Sequence, residues 1–473
     1  VLWSNRLGSV QALAGTITAS NSILHAAGAT NSIYQLDQNG LLPGEDFNVL
    51  WPVGGALVAR DVYRKISFAN LQDWQRDRSQ DLHSLRTPPM FADDINGDFH
   101  LMTDYPGGRY VPSTGTWTSD VEVSWAIDAG DFTADYSNES APNGGRLNAG
   151  LYGNTWQASK TSTNVQFKAV SLNDGGSISG SSILYWLAMG MATDETVSLE
   201  FSIDGGFSWV PIATNINPYQ NGYLWDPSAF GSTPNGYWRV VSETDTSRLD
   251  STDTNFLLRV GSVAFYVNDT NTAGDVYCSG PGDASYTGLS PLSPMLSLQT
   301  LLDTYDIAPG DSIYVDTGYY PLDQNLIINS LDSGVATARV QIAGSPDRGT
   351  VFDRGDTTNE TTYGVVFNSS SYVTLSNIVV QNADVGVDFF RSDSCLLSDA
   401  LVRDCGQYGA RIFQANSNVM LRTVITRSGD AGVRGIQGTY NYLDGCVVWD
   451  SGTNAVIGER TVLCVSNSVL HAS

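Results

Sequence analysis

From Tyr363 onward the apolar and polar positions of this chain fall into a short repeat. Gly364, Gly386, Gly409 and Gly432 recur at spacings of 22, 23 and 23 residues. Each is followed by a polar turn and then by a strand anchored on Leu375, Leu397, Leu421, Leu443 and Val465. Two positions beyond each anchor stands a small or polar residue (Asn377, Asp399, Thr423, Gly445, Asn467), and a second apolar strand follows. A unit of about 22 residues holding two or three short strands predicts one rung of a parallel β-solenoid. A single rung cannot bury its apolar side. Stacked rungs make continuous ladders of Val, Leu and Ile, with Asn, Asp, Gly and Ser at the corners. Leu397, Leu421 and Leu443 are therefore expected to point inward and the four glycines to line one edge. Asn21, Asn377 and Asn467 should share one turn-forming corner.

Residues 160–262 follow a different pattern. Alternating segments begin at Ile183, Val197, Trp209, Gly222, Tyr237 and Phe256, and Asp204-Gly205-Gly206 has the composition of a hairpin turn. About seven short strands with no helical stretch predict a β-sandwich of immunoglobulin or fibronectin-III type. Trp186, Trp209, Trp225 and Trp238 could line a sugar-binding face, but large aromatics in such a sandwich more often build its core, and core is the favoured reading.

A longer repeat is superimposed on the short one. Residues 447–473 align without a gap on residues 1–27, at an offset of 446. Val1 falls on Val447, Trp3 on Trp449 and Val10 on Val456; the Ser-Asn-Ser-x-Leu-His-Ala run from Ser20 to Ala26 falls on the run from Ser466 to Ala472. Two merely similar rungs would explain this. The favoured expectation is one module of a tandem array, cut in mid-element at both ends, in keeping with the lack of a starting Met and of a leader.

Composition narrows the class. A chain of 473 residues should hold about three domains. The acidity is almost all Asp (41 against 8 Glu) and the basic charge almost all Arg (21 against 3 Lys: Lys65, Lys160, Lys168). Asp, Asn and Gly suit tight turns, and helix formers are scarce, so the chain is expected to be all-β. A net charge of −25 and a pI near 4.2 argue against nucleic acid or anionic membrane as partners. No apolar run approaches the roughly 18 residues of a membrane span. Five cysteines (278, 395, 405, 446, 464) are too few for a disulfide framework at this length and read as small buried apolar residues. Sequons stand at Asn138, Asn268, Asn359 and Asn368. Low Lys with abundant Asp, Asn, Ser, Thr and Gly suggests an extracellular protein.

Two stretches resemble the right-handed parallel β-helix (pectin-lyase-like) proteins of large bacterial surface and secreted polypeptides. The first carries FYVND at 265–269, GLSP at 288–291, SLQ at 297–299, PGDSIYV at 309–315 and GYY at 318–320. It resembles the N-terminal entry of such a helix, where a short amphipathic segment from Leu298 to Tyr305 caps the open end. The second carries Trp74-Gln75, QDLHS at 80–84, PMF at 89–91, GDFHL at 97–101, GRY at 108–110, SWAIDAGD at 124–131 and NAGLYG at 148–153. It resembles the closing region of the same family, although Trp125 stands where the family usually has Pro. The resemblance covers roughly half the chain and speaks for fold, not activity. It implies two partial β-helices flanking the sandwich: residues 1–155 the end of one helix, 156–262 the sandwich, and 263–473 the start of the next. A full helix would then be residues 263–473 of one copy joined to 28–155 of the next.

Many β-helix proteins cleave polysaccharides. Hydrolases of the polygalacturonase type need clustered Asp with Gly-His-Gly and Arg-x-Lys, which this chain lacks, and no Lys lies beyond residue 168. A lyase would use Arg or Lys as base beside a cation; Arg403, Arg411, Arg422, Arg427 and Arg434 are the candidates. The favoured reading makes them surface partners of Asp399, Asp404 and Asp430, with no catalytic residue. His25, His83, His100 and His471 lack metal-ligand spacing. Asp94, Asn96 and Asp98 resemble the start of a calcium loop without its downstream Glu, so no metal site is assigned, and Ca2+ is the one cofactor that the Asp-rich turns suggest. The expected function is structural: a repeat module of a giant extracellular fibre, surface-layer or adhesin-type protein, partnered by neighbouring copies and in contact with cell-surface polysaccharide. The alternatives are a polysaccharide lyase, hydrolase or carbohydrate-binding module on the β-helix groove, and a passenger domain carried to the surface by a transporter.

Overall fold

A computed structural model describes residues 2, 8–64, 66–192, 194–220, 222–305 and 307–471. Val1, Trp3, Lys65 and Ala472 lie outside the described residues. The chain is all-β and forms two compact units, Val1–Val260 and Gly261–Ser473.

The second unit is a parallel β-helix. Its entry is the helix Leu298–Thr304, capped by the Ser297 side chain accepting from the Thr300 amide. Leu298, Leu301 and Tyr305 are buried, and the Tyr305 ring lies 5.1 Å from Phe265. Strands then stack in parallel register. One stack runs Tyr363–Asn368, Val385–Phe390, Tyr408–Phe413, Ala431–Asp444 and Asn454–Ser466. Another runs Ile378–Ala383, Leu401–Cys405, Val424–Ser428, Val447–Ser451 and Val469–Leu470.

The glycines stack as their spacing predicts, and the cause is space. A Cβ on Gly364 would lie 2.4 Å from Val380 Cγ1 and 2.6 Å from the Gly386 carbonyl; on Gly409 it would lie 2.2 Å from Ile425 Cγ2. Each glycine admits an inward Val or Ile from the facing strand. Asn21, Asn377 and Asn467 share a left-handed corner, with φ of 53°, 57° and 50°.

One expectation is corrected. The inward ladder runs Leu375, Leu397, Met420, Leu443 and Val465, with Met420 opposite both Leu397 and Leu443. Leu421 pairs instead with Ser398 and Asp444 and is half-buried. Side chains alternate along a strand, so the choice of Leu421 over Met420 put the anchor on the wrong face. The corner slips with it: the left-handed residue is Arg422 (φ 49°), not Thr423. Asn418 and Asn441 form a buried ladder of their own, Asn441 Oδ1 accepting the Asn418 amide at 3.0 Å.

The first unit begins with the same kind of rung. Gly8–Thr16, Ser32–Leu41 and Leu57–Asp61 stack in parallel, as do Ile23–Ala27, Val49–Val53 and Leu85–Arg86. Stacking stops where Ile66–Phe68 pairs antiparallel with Leu57–Asp61. The helix Leu71–Arg78 follows, its buried Trp74 donating from Nε1 to Asp81 Oδ2 at 2.9 Å. Asp81 also accepts from Ser84 Oγ and Asn48 Nδ2, so a fully buried carboxylate is satisfied from several elements. Trp125 lies in a turn and packs against the closing core.

Residues 166–258 then form short, mostly antiparallel sheets around one core. Thr233–Ser242 pairs antiparallel with Val197–Ser202 and with Phe256–Leu258, and Gln166–Ala169 with Trp186–Met189. Trp186, Trp225 and Trp238 are buried in that core, whereas Trp209 lies half-exposed under the Arg239 guanidinium, 4.1 Å away. A second core joins Ile23, Val49, Ala126 and Ala149 to Val170, Tyr185, Leu187 and Met189, so apolar packing runs across residue 155 without a break.

The corrected ladder yields a first prediction. Met420→Asp buries an unpaired charge between two rungs and should cost several kcal/mol. Leu421→Asp, half-exposed, should cost much less. Thermal unfolding of the two variants measures the difference, and equal losses would contradict the register.

Candidate functional site

The five arginines that the sequence singles out lie on rungs of the second unit, and each is bound to the rung before or after it. Arg411 forms a two-pronged pair with Asp388, at 2.9 and 2.7 Å, and its guanidinium lies 4.9 Å over Tyr363. Arg422 pairs likewise with Asp399 at 2.7 Å twice, and Arg427 with Asp404 at 2.5 and 2.8 Å. Each partner is 23 residues earlier, so all three pairs clamp the rung of residues 385–405 to that of residues 408–428. Arg403 donates twice to Gln381 Oε1, and Arg434 donates to the Tyr408 hydroxyl and to Glu459. Asp430 is bound by Thr453, not by an arginine.

The strands explain this placement. Val366, Asp388, Arg411, Arg434 and Ile457 form one outward row. Burial alone would lower the Arg411 pKa, but the bond to Asp388 outweighs it and raises the value. Arg422 and Arg427 hold the carboxyls of Asp399 and Asp404 below the usual range. An arginine held this way keeps its proton at neutral pH and is a poor general base.

The other sequence-predicted groups are scattered. Asp98 accepts from the His100 amide and faces His100 Nδ1 at 2.5 Å. Asn96 bonds Asp93, so the calcium-loop residues serve a hairpin between Phe91–Asp93 and Asp98–Leu101. His100 stacks on Tyr152 at 3.7 Å, and His83 stacks on Phe47 and bonds Asp46. Burial lowers the pKa of His25. Among the described residues no three His, Cys, Asp or Glu side chains gather as a metal site. Cys395, Cys405 and Cys446 are buried free thiols, and burial pushes Cys405 up to about 12. Asn268 and Asn368 are buried, which leaves Asn138 and Asn359 as exposed sequons. A cleft of about 660 Å³ beside Leu298 is lined by Asp269, Gln299, Tyr319, Tyr320 and Phe352. Asp269 there accepts the amides of Asn271 and Tyr319.

Sequence reasoning missed the buried acids of the first unit. Glu45 rises to about 7, first through burial and then through the charge of Asp81. Asp128 also rises to about 7, through burial and the nearby Glu139, against Thr161 and Arg146. Neither stands out in a chain so rich in Asp.

The family comparison bears on the second unit. Residues 363–472 match the family described as the right handed beta helix region. The chain therefore carries a right-handed parallel β-helix region. No curated protein matches it. Among solved structures it is similar to pectate lyase Pel9A, at 19% identity and a TM-score of 0.32 over 40% of this chain and 49% of that one. An alginate lyase from Paenibacillus sp. str. FPU-7 gives 16% and 0.29 over 35% and 63%. The family 28 exopolygalacturonase of Yersinia enterocolitica gives 10% and 0.23 over 63% and 74%. The chain spans about half the length of the pectate lyase and less than two thirds of the alginate lyase.

Arg411→Ala leaves the nearly inaccessible Asp388 carboxylate without its bidentate partner. The expected loss is roughly 2–4 kcal/mol, between the worth of a charged hydrogen bond and that of a fully buried pair. Arg422→Ala, at the open surface, should change denaturant-induced unfolding little. The buried acids set a pH dependence. Their folded values lie above the ordinary 4.5 and 3.8, so their contribution is complete below about pH 4 and is lost as pH rises through about 7. The first unit should therefore melt at a higher temperature at pH 5 than at pH 8, and Glu45→Gln with Asp128→Asn should flatten that slope.

Proposed function

We propose that this chain is a structural repeat module of an extracellular fibre or surface protein, in which β-helical rods alternate with sandwich segments and neighbouring copies are the partners. The observation that carries this reading is the identity of two rungs 446 residues apart. Leu2 bridges Leu24 in parallel as Val448 pairs with Leu470. The His25 amide donates to Leu2 O at 3.0 Å, and the His471 amide to Val448 O at 2.8 Å. Thus a rung of the first unit and a rung of the second share nine of 27 residues in a gapless alignment, the Ser-Asn-Ser-x-Leu-His-Ala corner and these two backbone contacts. A module whose β-helix recurs in this way suits an array. The arginine clamps support the same reading, because Arg411, Arg422 and Arg427 are each committed to holding one rung to the next. Among the described residues no helix is long and apolar enough to cross a membrane.

The competing reading is a polysaccharide lyase, hydrolase or carbohydrate-binding module on the β-helix groove. Purified chain incubated with pectin, alginate and chondroitin, with and without Ca2+, decides between turnover and none. We expect no rise in unsaturated products or reducing ends. Turnover that Arg411→Ala or Arg434→Ala abolishes, while the fold survives by circular dichroism, would overturn the structural reading.

A further inference from the structure

The cleft beside Leu298 lies wholly within the second unit and has two kinds of wall. Its floor is apolar: Leu298, Tyr320, Leu326 and Phe352 are 1–6% exposed, and the Tyr320 and Phe352 rings lie 5.6 Å apart. The Tyr320 hydroxyl is spent on the Asp316 carbonyl at 3.0 Å, so the floor offers a ligand only apolar surface. The charged lining is of one sign. Asp269 and Asp323 face the cleft, and among the described residues no Lys, Arg or His does. Tyr319 is the exposed aromatic of the wall, at 55%. Its hydroxyl donates to Asp353 Oδ2 at 2.8 Å and its amide to Asp269 Oδ2 at 3.1 Å, so the ring is held at both ends.

Each feature narrows the occupant. A volume of about 660 Å³ falls within the roughly 300–1,000 Å³ of small-ligand sites. The buried floor favours an apolar body. Carboxylates with no cation beside them repel an anion and draw in a cation. A Tyr ring whose hydroxyl donates to a carboxylate presents a negative face that a cation can approach. The field reaches the floor: burial first, and then the charges of Asp269 and Asp316, push the Tyr320 hydroxyl up from its ordinary value.

We propose that this cleft binds a small organic ammonium ion, its apolar body on Leu298, Leu326 and Phe352 and its cationic head against Asp269, Asp323 and the Tyr319 ring. The site goes beyond the array reading and stands or falls separately from it. The test is an NMR titration of the full chain at pH 7 with hexylamine, 1-hexanol and hexanoate, which share a chain length and differ in charge. Hexylammonium is expected to bind about tenfold more tightly than hexanol, the combined worth of an exposed ion pair and a cation–π contact, and hexanoate more weakly than either. A net charge of −25 draws in any amine weakly, so variants at two exposed positions decide the place. Asp323→Lys should bring hexylammonium down to the level of hexanol and strengthen hexanoate, at an unchanged melting temperature. Tyr319→Ala should weaken hexylammonium severalfold. Three results would each overturn the proposal: no binding of hexylammonium, hexanol or hexanoate binding as tightly, or a hexylammonium affinity that neither variant changes. None of them touches the array reading, which the glycan assays judge.

Discussion

Everything in the second unit depends on the requirement that each rung find its apolar and hydrogen-bonding partners in the rungs above and below. Among the described residues no strand of the β-helix is paired within its own turn. From Tyr363 onward its strand partners lie 22 or 23 positions away, and its inward Leu, Met or Val is covered by the same neighbours. The solenoid therefore grows by repetition, and its weak points are wherever repetition stops.

That requirement explains the details. The glycine column exists because two strands approach too closely for a Cβ. Left-handed residues recur at four places per rung, Arg391, Ser394, Asp399 and Asp404 in one and Gln414, Ser417, Arg422 and Arg427 in the next, because the chain must turn there to return in register. The arginine clamps follow the same 23-residue step. A lone surface ion pair adds little, but two-pronged pairs at three places between the same two rungs, one of them on a buried Asp388, oppose sliding as well as separation. These pairs fasten one rung to the next.

The first unit solves the opposite problem. Its rungs end where an antiparallel strand and a short helix replace the next parallel strand, and Trp74 and Asp81 tie that helix to the last turns. Burial of Asp81, Glu45, Asp128 and Glu139 in this closing region is expensive, which is why stability there should fall toward alkaline pH.

The sequence by itself determined the features that repeat. The glycine spacing, the Asn corner, the interior Leu375, Leu397 and Leu443, and the buried Trp186, Trp225 and Trp238 were legible because one physical demand recurs at one interval. The match of residues 1–27 to 447–473 was legible for the same reason. What only the tertiary structure decided was each choice that depends on a neighbour far along the chain. Met420 and Leu421 are equally apolar, and which points inward is set by pairing with Leu397 and Leu443. Asn268 and Asn368 stand in sequons, and only the packing shows them buried. Asp399 and Asp404 were legible as arginine partners, but the pairing of Arg411 with Asp388, the buried acids and the core that crosses residue 155 had no local signal, because burial and long-range pairing belong to the contacts of a side chain and not to its place in the sequence.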